Sequence, residues 1–190
     1  MGEADLIIAA DSGAESALAA GLTIDVLVGD LDSITRATLD RVHDDATAIE
    51  RHAPDKDATD LELALTSALV RGATTVTVIG GRGGRLDHLL GNVAVVSAPR
   101  LASLSICWLL EQESAYPVHD KRTIDTYEGA VVSVVAVAGE ATGVTLEGMK
   151  WPLDRVTLPA DSSLGISNVA LGSSIVARVV SGTLLVIVNG

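Results

Sequence analysis

Over the first 111 or so residues, short apolar runs alternate with segments of helical period, which is the pattern of a parallel α/β layer. Residues 6–10 form an apolar run ending at Asp11, and residues 14–20 predict a short helix stopped by Gly21. Ile24, Val26, Leu27 and Val28 predict a buried strand, and a helix over 35–42 follows it. Leu61, Leu65 and Leu69 recur at fourfold spacing, so a longer helix is expected over 57–71, with Thr59 or Asp60 near its start and Gly72 beyond its end. The β-branched run 74–81 empties into a glycine-rich turn, and the apolar-rich segment 86–96 reads as a helix that Pro99 stops. A strand over 104–110 closes this layer.

Beyond Glu111 the pattern changes, because Val- and Ile-rich segments follow one another with Gly turns and without an amphipathic helix. Strands are expected over 123–126, 130–138, 144–146, 174–180 and 183–188, forming a small β-sandwich or roll. The chain therefore reads as an α/β N-terminal domain with a mainly parallel sheet over 1–111 and a C-terminal all-β sandwich domain over 112–190. With 48% hydrophobic residues and a mean hydropathy of +0.41, its 190 residues are expected to fold rather than stay disordered.

Charge and aromatic content narrow the partners. A net charge of -12 opposes polyanions, and two Trp, two Tyr and no Phe leave few platforms for stacking bases, so nucleic acid is excluded as a partner. The apolar run 129–139 is too short to span a bilayer and the start MGEADL lacks a basic leader, so no membrane partner and a cytoplasmic location are expected. Cys107, the single cysteine, sits among Ile106, Trp108 and Leu109 and reads as a buried strand thiol. His43, His52 and His119 read as surface residues.

Ten of the 25 acidic residues fall between Asp30 and Glu62, where GDLDS (29–33) and DKDATD (55–60) follow apolar segments. Asp30 and Asp32 belong just past the end of a buried strand, the ligand edge of a parallel sheet, and Asp60 opens the leucine-striped helix and points back toward that edge. Three carboxylates from two connections suit Mg²⁺, which takes hard oxygen ligands together with substrate phosphates. The bland alternative for any single Asp is a turn or N-cap role. Lys56, between Asp55 and Asp57, either neutralises phosphate or balances its neighbours.

The loop GGRGGRLDH (80–88) joins a strand to a helix, as a phosphate-binding turn does, although it is neither a Walker A loop nor a dinucleotide fingerprint. Arg85, Asp87 and His88 open a helix that soon turns apolar, and Arg82 reads equally as a phosphate ligand or a solvated charge. Ser167 and Asn168 in the turn GISN (165–168) supply a hydroxyl and a carboxamide suited to a heterocycle or to their own backbone. Trp151 is either a stacking surface or a core anchor.

These residues resemble the thiamine pyrophosphokinase family through six ordered motifs that span nearly the whole chain: ADSGA (10–14), GDLDS, DKDATDLELAL (55–65), GGRGGRLDHLLGN (80–92), GMKWPL (148–153) and GISN. The resemblance implies transfer of the β,γ-pyrophosphoryl group of ATP to thiamine, giving thiamine diphosphate and AMP, with Mg²⁺ as cofactor. It implies a homodimer with shared active sites between the α/β domain of one subunit and the β domain of the other. It assigns Asp30, Asp32 and Asp60 to the metal, and these with Arg85 to catalysis. Ser33, Lys56, Arg85, Asp87 and His88 fall to the nucleotide, and Asp11, Trp151, Ser167 and Asn168 to thiamine. Three features depart from the family pattern: nine residues precede Ala10 where members carry a strand, a loop and a helix, Ser12 replaces a more usual Gly, and Val169 follows Asn168 where an acidic residue is common. The alternative is a homologue that binds thiamine or pyrophosphorylates another heterocycle, with altered or lost activity.

Overall fold

The computed structural model describes residues 4–53, 55, 57–82 and 84–190, and the chain divides into two units, Met1–Gly72 and Ala73–Gly190. The first unit alternates strand and helix: β1 (Ile8–Ala10), α1 (Gly13–Ala19), β2 (Val26–Gly29), α2 (Arg36–Asp44), β3 (Ala48–Arg51) and α3 (Asp60–Val70). Its sheet is parallel with order β1-β2-β3. Central β2 is buried throughout, as its unbroken apolar run requires of a strand covered on both faces. Ala9, Ala14, Ile24, Leu27 and Val42 form the core beneath.

Local chemistry sets the helix ends. Thr59 caps α3 by accepting the Glu62 N–H at 3.3 Å, so the helix begins at Asp60 and its first turn carries Asp60 and Glu62 beside the positive end of the dipole. Thr35 caps α2 in the same way. β3 has no counterpart in the sequence reading: its AIER is an edge strand with a single large apolar residue, Ile49, so no hydrophobic period marks it.

The second unit contains β4 (Thr75–Ile79), α4 (Leu86–Val96), a 3₁₀ turn (Pro99–Leu101), β5 (Ser105–Leu110), β6 (Glu113–Val118), β7 (Lys121–Asp125), β8 (Val131–Glu147), β9 (Leu153–Leu158), β10 (Asn168–Val169), β11 (Ser174–Arg178) and β12 (Ser181–Asn189). They form a mixed sheet of order β4-β5-β6-β12-β8-β11-β7, with β9 and β10 also paired to β8. β5 pairs parallel to β4 on one side and antiparallel to β6 on the other. The strand expected to close the α/β layer thus hands the sheet on to the antiparallel strands. β6 and β9 were also absent from the sequence reading. β6 contains Pro117, which lies past the last β5 pair at Ala115, so its missing N–H breaks no bond to β5.

The two strands expected at 130–138 and 144–146 are one bent strand, β8, whose positive φ at Ala138, Gly139 and Gly143 turns the corner between them. Its first half pairs with β12 and its second with β9 and β11. One core collects Val132, Val134, Val144 and Leu146 from both halves of that strand.

Three sequence expectations change here. Cys107 is half-buried, because alternation along β5 turns Ile106 and Trp108 inward and leaves the thiol on the other face. His52 and His119 are half-buried, while His43 is exposed. Burial pushes the His119 imidazole below its ordinary value, and its Nδ1 lies 3.2 Å from the Thr183 hydroxyl. The folded state thus binds fewer protons than the unfolded one below about pH 6.5, and this contribution to stability, complete above that value, is lost as pH falls through the folded pKa. The melting temperature should drop more steeply between neutral pH and pH 5 in the native protein than in His119→Asn, and equal slopes would reject this role.

Candidate functional site

In the first unit, Ala10 pairs with Val28, so the ends of β1 and β2 lie side by side and Asp11 and Asp30 leave the sheet as neighbours. One carboxylate oxygen from each of Asp11, Asp30 and Asp32 lies within 4.8 Å of the others. Asp11 and Asp30 are half-buried and Asp32 is exposed. The backbone between them is unusual for residues with side chains: Asp11 has φ 45° and Leu31 has φ 67°. Such left-handed conformations cost about 1–3 kcal/mol each and persist where the surroundings enforce them. Here Leu31 is drawn into the core between two aspartates that stay at the edge.

A short network fixes this turn. The Asp32 N–H donates to Asp30 Oδ1 at 3.2 Å, the Ser33 hydroxyl donates to Asp11 Oδ2, and the Thr35 N–H donates to Glu15 Oε1 at 3.1 Å, which ties the turn to α1. The other Asp11 oxygen, Oδ1, is buried with no hydrogen-bond partner among the described residues. A buried acceptor without a partner is costly, and unit charges about 4 Å apart repel by roughly 1 to 4 kcal/mol between bulk water and a protein surface. A hard cation relieves both penalties, and an all-carboxylate donor set suits Mg²⁺ better than a soft metal.

Asp60 reaches the same strand end from α3, which packs on β1 and β2. A Cβ on Gly29 would stand 3.2 Å from Asp11 Cβ and 3.2 Å from Asp60 Oδ1, and Gly29 has φ 150°, so glycine alone gives both carboxylates room. Among the described residues, the grouped carboxylates thus include Asp11, which the family resemblance assigns to the substrate, while Asp60 stands beside Gly29. The sequence signal for it is the apolar run that ends at Asp11, but which strand ends meet depends on how β1 and β2 pair.

The second unit holds the glycine-rich turn and the start of α4. The Trp108 indole N–H donates to the Gly80 carbonyl at 2.7 Å, and the Asn92 amide donates to the Gly81 carbonyl at 2.7 Å, so two buried side chains pin the turn. Arg85 sits at the N-cap position and grips Asp87 in a fork, Nε to Oδ1 at 3.2 Å and Nη2 to Oδ2 at 2.6 Å. That hydrogen bond raises the Arg85 pKa and holds the Asp87 carboxyl below its ordinary value, and both side chains are exposed. A permanent guanidinium presented at a helix start is a ready phosphate ligand. Arg82 pairs with Glu113 at 3.3 Å, and His88 is exposed. Lys56 lies outside the described residues.

Farther along the second unit, Asn168 is 4% exposed and Trp151 is 54% exposed, with Lys150 Nζ 4.8 Å from the indole centroid. Ser167 is exposed at φ 57°, and its N–H donates to the Ser133 hydroxyl at 3.1 Å. A depression of about 490 Å³ elsewhere in this unit is lined by Glu111, Glu113, Asp125 and Tyr127 and includes none of the site residues expected from sequence. Among the described residues, no helix is long and apolar enough to cross a membrane.

Known proteins resemble both units. The family model described as thiamin pyrophosphokinase, catalytic domain, matches residues 1–108, and the one described as thiamin pyrophosphokinase, vitamin B1 binding domain, matches residues 119–184. A thiamine pyrophosphokinase of Bacillus subtilis (strain 168) is 29% identical over 187 residues, covering 97% of this chain and 87% of its own length. Thiamine pyrophosphokinase 3 of Oryza sativa subsp. japonica is 26% identical over 174 residues, covering 85% of this chain and 64% of its own length. The crystal structure of thiamine pyrophosphokinase from Bacillus subtilis superposes with a TM-score of 0.86 at 28% identity, covering 100% of this chain and 89% of that one.

Proposed function

The chain belongs to the thiamin pyrophosphokinase family, and from that premise we propose that it transfers the pyrophosphoryl group of ATP to the hydroxyl of thiamine, yielding thiamine diphosphate and AMP. The observation that carries the reading is the carboxylate trio of Asp11, Asp30 and Asp32 at the end of a parallel sheet, with one buried oxygen still lacking a partner among the described residues. These three residues would hold Mg²⁺, which supplies charge neutralisation of the ATP phosphates when bound.

The remaining roles belong to the chain's own groups. Arg85 pairs with phosphate oxygens through the guanidinium N–H groups that Asp87 leaves over, while the grip of Asp87 and the pinned glycine turn keep the guanidinium in one orientation. Ser33 and Glu15 hold the aspartate turn in shape. Trp151 and Ser167 serve the thiamine, and His88 and Asp60 the phosphates. In the reaction the thiamine hydroxyl oxygen bonds to the β-phosphorus, the bond from that phosphorus to the α,β-bridging oxygen breaks, and the hydroxyl proton passes to a carboxylate of the sheet edge. A primary alcohol is a weak nucleophile, so positioning and charge neutralisation supply most of the acceleration. The same reading makes the working protein a homodimer.

Acceptor comparison tests this function. AMP release with Mg²⁺ and ATP should depend on thiamine and be much slower with a pterin-like alcohol. Faster release with the second acceptor would reassign the substrate, and tight thiamine binding without release would make the chain a binding homologue.

A further inference from the structure

Residues 150 and 151 lie between β8 and β9 and are hung on the segment 168–169. The Lys150 N–H donates to the Val169 carbonyl at 2.9 Å. Asn168 holds the next residue from both sides: its Oδ1 accepts the Trp151 N–H at 3.1 Å, and its Nδ2 donates to the Trp151 carbonyl at 2.7 Å. The same Oδ1 also accepts the Val169 N–H at 2.8 Å. A carboxamide has two donor and two acceptor positions, and three of the four are spent on backbone. With 4% of its surface exposed, Asn168 has little left to offer a ligand, whereas Trp151 is 54% exposed and its ring carries a cation, the Lys150 ammonium, on one face.

We propose that Asn168 is a positioning residue for thiamine recognition: it fixes the Trp151 backbone so that the indole face is presented to the cationic heterocycle, and does not itself touch the ligand. The proposal rests on the reading that Trp151 faces thiamine. A carboxamide, with its acceptor and donor side by side, satisfies both the N–H and the C=O of Trp151 here. Alanine would leave the Trp151 N–H and carbonyl and the Val169 N–H without their partner, and aspartate would keep the acceptor while losing the donor.

A double-mutant cycle separates positioning from contact. Asn168→Ala should raise the thiamine KM roughly tenfold, the cost of leaving buried polar groups unpaired, with kcat and the ATP KM nearly unchanged. Trp151→Ala should raise the same KM, and the double variant should be no worse than Trp151→Ala alone. The chain has two tryptophans, so 5-fluorotryptophan labelling gives two ¹⁹F resonances. In Asn168→Ala the Trp151 resonance should shift or broaden while that of Trp108 stays in place. Should Asn168→Ala fail to fold, Asn168→Ser carries the same test, since it adds no charge to the buried site and its hydroxyl replaces at most part of the three bonds. Full additivity with Trp151→Ala, a fall in kcat at constant KM, or an unchanged thiamine KM in the Asn168 variants would each overturn the proposal. An unchanged thiamine KM in Trp151→Ala would instead overturn the reading of Trp151 beneath it.

Discussion

Asp32→Asn is expected to lower kcat by roughly 10²–10³-fold, the cost of losing one group that stabilises developing charge, while shifting the melting temperature by no more than about 1–2 °C. Its carboxylate is exposed at the sheet edge, and it shares a space of 4.8 Å with Asp11 and Asp30. Converting it to an amide removes a charge and a hard ligand without opening a cavity. Part of the lost rate should return at high Mg²⁺ concentration, because weaker metal binding is the cause. Steady-state rates over a Mg²⁺ series, with thermal melts on the same samples, check both halves. Wild-type turnover would remove Asp32 from the metal, and a large fall in melting temperature would make it structural.

Trp108→Ala should instead act on stability, by about 3–5 kcal/mol, as deletion of a large buried aromatic does. Trp108 is 1% exposed on β5, and its indole N–H holds the Gly80 carbonyl at 2.7 Å. Its removal therefore leaves a cavity in the core and unpins the turn that leads to Arg85. Trp108→Phe fills most of the volume and loses only the hydrogen bond, so it should cost roughly 1–3 kcal/mol and raise the ATP KM. Urea unfolding at an unchanged slope measures the first effect and initial rates the second. Where the two units unfold in separate steps, the loss belongs to the step of Ala73–Gly190. A stability change below about 1 kcal/mol for Trp108→Ala would contradict the packing derived for this residue.

The strands and helices legible in the sequence were those with a strong period. β2, β4, β5 and α4 stand where their apolar patterns put them, and α3, expected over 57–71, runs Asp60–Val70 because the Thr59 cap sets its start. β3, β6 and β9 were illegible because partner strands, and not their own hydrophobicity, make them strands. Polar AIER, proline-containing ESAYPV and mixed LDRVTL carry no period of their own. The division of β8 into two expected strands had the same origin, since the residues around Ala138 and Gly139 read as a turn until their bent pairing is known.

For the site, Asp30 and Asp32 could be read from their position after an apolar run, which is a local signal. The approach of Asp11 to them is set by the parallel register of β1 and β2, and the Asn168 clamp joins residues 17 positions apart. The hold of Trp108 on Gly80 spans 28 positions. Each of these depends on tertiary pairing that no window of sequence contains. Residue types told what chemistry was available, and the fold decided which side chains come together.

The most direct test of pyrophosphoryl transfer at the Asp11, Asp30 and Asp32 edge is ³¹P NMR of the protein incubated with ATP, thiamine and Mg²⁺. Equal amounts of AMP and thiamine diphosphate should appear together and be suppressed by chelation of the metal. ADP with thiamine monophosphate, or ATP left intact at every metal concentration, would contradict pyrophosphoryl transfer there.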